Sequence, residues 1–131
     1  MNALREQIRS LLTVEARGQG YRAWFRVDAG LSFFPDHFPE YPLVPGICLM
    51  QAVVIAAAVR QGAEEFHVRS LKNAKMMQPV LPGDQIVIDG EMTARGDGDF
   101  LIKATFTKGD KRCAEFSLVA GPGMAPKAAS P

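Results

Sequence analysis

The chain has 131 residues, 47% of them hydrophobic and 22% charged, with a net charge of +1. That length suits one domain with a real core, and a charge so near zero gives no overall field for nucleic acid or a membrane surface. The longest apolar run is too short to cross a bilayer, which takes ~20 residues.

The start, Met1 to Ser10, lacks the apolar stretch of a signal peptide, so the cytoplasm is the expected compartment. Leu4, Ile8, Leu11 and Leu12 recur at helical spacing, with Arg5, Glu6 and Arg9 on other faces. This predicts a short amphipathic helix ending near Leu12. A turn at Gly18-Gln19-Gly20 leads into a strand from Tyr21 to Val27, with Tyr21, Ala23, Phe25 and Val27 on one face.

The next stretch organises the chain. Phe33 to Gly46 contains prolines at 35, 39, 42 and 45, which fix φ and hold the preceding residues extended. His37 lies in this stiff loop, between the acids Asp36 and Glu40, which read as solvated. Ile47 to Val59 follows, with Gln51 as its one polar side chain. Three consecutive alanines and a Pro-Gly start make this run a helix. Apolar on every side, it is expected to be buried on every side, with Gly62 as its cap. Ala52 and Ala56 lie one turn apart and suit close packing against a sheet.

Phe66 to Val80 reads as a long extended segment with a bend or bulge, and Leu81 to Asp84 as a turn. Three strands then run Gln85 to Ala94, Phe100 to Thr107 and Arg112 to Ala120, joined by short turns into an antiparallel meander. The expected organisation is one domain over residues 1–120 and a disordered tail over 121–131. The fold class is α+β, a sheet wrapped on one central helix. Its two free edges invite pairing with a second copy. Cys48 and Cys113, in apolar settings, read as buried free thiols. No Cys or His pair has metal-ligand spacing, so no metal is expected. His67 lies in an ordinary strand context.

Together these residues resemble the FabZ-type 3-hydroxyacyl-acyl-carrier-protein dehydratases, which have the hotdog fold. The likeness lies in Phe33-Phe34 through His37-Phe38-Pro39, Pro42, and Pro45-Gly46-Ile47 opening the helix. It continues in Lys75 to Gln85, with its Pro82-Gly83-Asp84 turn, and covers roughly residues 33 to 119. The chain departs from the family in three places. Its N-terminal Asp-Arg-Val element is not recognisable, Asp36 stands where a Gly is usual, and Gln51 stands where the catalytic Glu falls.

The resemblance implies a dimer with His37 of one subunit facing position 51 of the other; some relatives stack as trimers of dimers. It implies no cofactor, the substrate being carried on the phosphopantetheine of acyl carrier protein. His37 suits the base that removes the C2 proton, and the backbone N–H of Gly46 suits the thioester oxygen. A neutral Gln51 can hydrogen-bond the leaving hydroxyl but cannot protonate it. Three readings of Gln51 therefore stand open. His37 returns the proton itself; Asp36 or Glu40 substitutes as acid; or the site binds acyl groups or runs another thioester reaction. Phe38, Pro45, Met50, Met76 and Met77 are candidate substrate-lining residues. Arg60, Arg69, Lys72 and Lys75 are candidates for a basic rim facing the acidic carrier protein. The function expected is a hydro-lyase on 3-hydroxyacyl groups. A non-catalytic acyl-binding subunit and a hotdog thioesterase are the alternatives.

Overall fold

The computed structural model describes residues 2–27 and 46–123. The proline loop with Asp36, His37, Phe38, Glu40 and Pro45 lies outside the described residues, as does the chain from residue 124 on.

Helix α1 spans Asn2–Ser10, two residues short of the expected Leu12. The reason is a strand that the sequence reading missed, β1 at Leu12–Arg17. It turns through Gly18, whose φ is +53°, into β2 at Gly20–Arg26. Arg17 sits opposite Gly20 and Leu12 opposite Phe25. The central helix, α2, spans Gly46–Gln61. β3 (His67–Met76), β4 (Gln85–Ala94), β5 (Phe100–Lys108) and β6 (Lys111–Gly121) complete one antiparallel sheet. Its order is β1-β2-β4-β5-β6-β3, so β1 and β3 are the edges. Gly121, where the tail was expected to begin, still pairs with His67 in the sheet.

The period-two faces are as expected. Tyr21, Ala23, Phe25 and Val27 are buried on β2, and Ile86, Ile88 and Met92 on β4, while Trp24 faces outward. The expected irregularity in β3 appears as register shifts between Val68 and Ser70 and between Leu71 and Asn73. α2 lies on the inner face, where Leu49, Ala52, Val53, Ala56 and Ala57 are fully buried. The small alanines let the helix sit close to the sheet. The helix ends as expected at Gly62, in the left-handed region with φ +71°. Gly62 N–H donates to the Val59 carbonyl and Ala63 N–H to that of Ala58, a Schellman pair that satisfies the last turn.

Burial on every side of α2 is not what the structure shows. Ile47 is 59% exposed and Val59 37% exposed, and Met50 and Gln51 are half-buried. One stripe of the helix faces away from the sheet, and α1 covers only part of it.

Tyr21 locks helix to sheet: its hydroxyl donates to the Val53 carbonyl at 3.1 Å. Burial, with the nearby Asp89 charge, pushes the phenol above its ordinary value, so it stays a neutral donor. Its ring fits only because position 90 is glycine, where an added Cβ falls 2.4 Å from the ring carbons. Gly90→Ala therefore displaces Tyr21, and the expected cost is about 2–4 kcal/mol from overpacking plus the lost hydrogen bond. Urea unfolding checks this, with Tyr21→Phe as the milder reference at about 1 kcal/mol. Equal midpoints for wild type and Gly90→Ala would contradict it.

Candidate functional site

α2 opens at Gly46, directly after the proline loop. Its first backbone N–H groups have no partner within the helix, the usual state of a helix start and a ready donor set for an oxyanion. Met76 lies beside this start, its sulfur 3.8 Å from where a Gly46 Cβ would stand. A Cβ there would make only an ordinary contact with that sulfur. Ile47, Leu71, Met76 and Met77 are large apolar side chains left exposed, at 59%, 50%, 48% and 38%. Met50 is half-buried and packs on the core edge.

Gln51 projects from the stripe of α2 that faces away from the sheet. Val54, Ile55 and Ala58 continue that stripe at spacings of three, four and seven residues. Together with Phe66 they make the apolar walls of a narrow cleft that includes Gln51. Its outer wall is charged, with Arg5 and Arg9 from α1 and Glu64 and Glu65 from the link after α2. Arg5 and Glu65 form an ion pair. His67 lies 3.9 Å from the other oxygen of Glu65, so it belongs to this charged edge. Sequence reasoning missed all four charged residues of the cleft. Arg5 and Arg9, one helical turn apart, were the available signal, but nothing local placed α1 over residue 51.

The other site candidates scatter. Arg60 donates to the carbonyls of Gly20 (2.7 Å) and Gly18 (3.0 Å), so its guanidinium holds the β1–β2 turn against the end of α2. Arg69 contacts Asp99 at 3.3 Å and the Pro122 carbonyl at 2.7 Å. Both guanidinium groups are engaged within the chain, whereas Lys72 and Lys75 stand exposed on edge strand β3. Cys48 and Cys113 are buried free thiols. Burial pushes both up from the ordinary thiol value, so neither is a thiolate nucleophile near neutral pH. No helix among the described residues is long and apolar enough to cross a membrane.

A sheet of this order with α2 on its inner face is the hotdog fold. A dehydratase heterocomplex ApeI:P from Xenorhabdus doucetiae superposes with a TM-score of 0.69 at 20% identity, over 83% of this chain and 94% of that one. The PaaI protein of Escherichia coli superposes at 0.65 and 14% identity, over 92% and 88%. Both likenesses speak for the fold. Residues 13–116 match the family model for the ApeI-like dehydratases, and the chain belongs to that family. It is also similar to the 3-hydroxyacyl-[acyl-carrier-protein] dehydratase FabZ of Thermus thermophilus, 30% identical over 109 residues, 76% of this chain and 75% of that protein. The FabZ of Ralstonia nicotianae is 30% identical over 96 residues, 66% of this chain and 58% of that one. The chain thus spans little more than half of some of the relatives it matches. The resemblance drawn from the His37 loop and the Pro82-Gly83-Asp84 turn is borne out at the level of family and fold.

Proposed function

We propose that the protein dehydrates 3-hydroxyacyl thioesters presented on acyl carrier protein. The observation that carries this reading is family membership joined to the placement of residue 51. By the resemblance Gln51 falls where the family's catalytic Glu does, and it is half-buried on α2 just over one turn from the Gly46 helix start.

In this mechanism the imidazole of His37 takes the C2 proton of the substrate. The enolate oxygen that develops at the thioester accepts a hydrogen bond from Gly46 N–H, at the positive end of α2. The electron pair then forms the C2–C3 double bond as the C3–O bond breaks. The imidazolium returns its proton to the departing hydroxyl, and water leaves. Gln51 orients that hydroxyl by hydrogen bonding and changes no protonation state. Phe38, Pro45, Met50, Met76 and Met77 line the entry. Lys72 and Lys75, the exposed cations of the expected rim, face the carrier protein, while Arg60 and Arg69 are held within the chain. The reaction uses no cofactor beyond the carrier's phosphopantetheine. The reverse reaction gives a direct test. A 2-enoyl pantetheine thioester should lose its conjugated absorbance when the protein is added, and no change over the buffer rate would overturn the catalytic reading.

Gln51 also favours a second reading, a non-catalytic acyl-binding subunit of a hetero-oligomer. The ApeI:P neighbour is itself a heterocomplex. An inactive protein that gains activity when mixed with a partner hotdog subunit would support it.

Either reading places the site between two chains. Among the described residues β3 is a sheet edge that carries the exposed apolar Leu71 and Met76, and pairing with a second chain would continue the sheet. Sedimentation at micromolar concentration should give at least twice the 14.3 kDa of one chain. A clean monomer would remove the shared-site model.

A further inference from the structure

Behind Gln51 the cleft runs along α2 past Val54 and Ile55 to Ala58, about 10 Å at the helical rise. That is the span of a medium-length alkyl chain, and it starts at Gln51. The route is closed. The cavity left in it is about 20 Å³, room for about one water molecule. Residues of α1 and of the Glu64–Phe66 link do the closing. α1 is held in place by Ile8, which is fully buried in the core, so Arg5, three residues before it, and Arg9, one residue after it, stay over the cleft. The aliphatic stems of arginines cover apolar surface well. Arg5 is further tied to Glu65 by their ion pair. At the far end Phe66 is buried and stacked on Phe100, with ring centroids 5.9 Å apart, which makes it a fixed stop.

We infer that α1 is the specificity wall of the acyl site: Arg5 and Arg9, backed by the Phe66 stop, restrict the protein to short acyl chains. This rests on the acyl-binding reading above and names the residues that set its chain length. Each further methylene of a substrate must displace an arginine stem that the core-anchored helix holds in place.

The test measures binding rather than turnover, so it reads the wall whether or not the site is catalytic. Saturated acyl-pantetheine amides from butyryl to dodecanoyl are titrated calorimetrically into the full-length protein. For the wild type, affinity should fall at least ~10-fold between hexanoyl and decanoyl, the loss expected when a well-packed wall must be displaced. Arg5→Ala with Arg9→Ala should move that fall at least two carbons longer. Ala58→Leu, which fills the cleft from the opposite side, should move it shorter and carries the test if the double variant does not fold. Wild-type affinity that climbs steadily to dodecanoyl, or a profile that neither change shifts, would overturn the specificity wall and leave the acyl site standing. No binding at any chain length would overturn the acyl site, and the wall with it.

Discussion

Gln51→Glu is expected to create, or raise by ~10²-fold or more, the dehydration of 3-hydroxyacyl carrier substrates, the usual contribution of a positioned general acid. Gln and Glu have nearly the same shape, so the change alters chemistry more than packing. The new carboxyl would sit half-buried against Val54 and Ile55, in a cleft that already holds Glu64 and Glu65. Desolvation and the two glutamates raise its pKa; Arg5 and Arg9 lower it, Arg5 less so because it is paired with Glu65. The expected gain requires that desolvation and the glutamates outweigh the arginines, so that enough of the acid stays protonated near neutral pH to donate to the leaving hydroxyl. Some loss of stability accompanies the change, since an acid in an apolar wall is unfavourable. The measurement is a paired assay of wild type and variant, with melting temperature as the folding control. A folded variant with no gain beside an inactive wild type would mean that the pocket has diverged at more than one residue. A fast wild type slowed by the substitution would show that Gln51 works in a mechanism run by His37 alone.

His37→Ala is expected to cut turnover by ~10²-fold or more if His37 is the base. In the proposed mechanism His37 takes the C2 proton and, with Gln51 unable to supply one, also returns it, so its loss would remove both steps. Wild-type-like turnover in the variant would place the base elsewhere.

Much of this architecture was legible from local pattern. The β4–β5–β6 meander shows clean alternation between short glycine turns, and α2 shows an apolar run bounded by Pro45-Gly46 and Gly62. β1 was missed because Leu11 and Leu12 extend the apolar spacing of α1, although Leu12, Val14 and Ala16 alternate with Thr13, Glu15 and Arg17 in strand fashion. The half-exposed stripe of α2 was hidden for a different reason. Composition cannot distinguish a helix buried by its own chain from one left open for another, and Ile47 at 59% exposure is as apolar as any core residue. The charged half of the cleft was also out of reach, because Arg5 and Glu65 meet across 60 residues of sequence and only the tertiary fold brings them together. Arg60 looked like a surface cation, and its role in holding the Gly18 and Gly20 carbonyls depends on a helix end meeting a hairpin far away in the chain. The family motifs escaped this limit, since the His37 loop and the helix start are contiguous in sequence.

The central claim, that this chain removes water from 3-hydroxyacyl groups on acyl carrier protein, is tested most directly by mass spectrometry of the carrier. Acyl carrier protein loaded with 3-hydroxyacyl chains is incubated with the pure protein, alone and at matched concentration with the His37→Ala variant. The account predicts a carrier population lighter by one water in the presence of the wild type, approaching a constant ratio with time because the reaction is reversible, and little or none with the variant. A carrier mass that never changes, in a preparation shown to be folded and at least dimeric, would contradict the dehydratase reading.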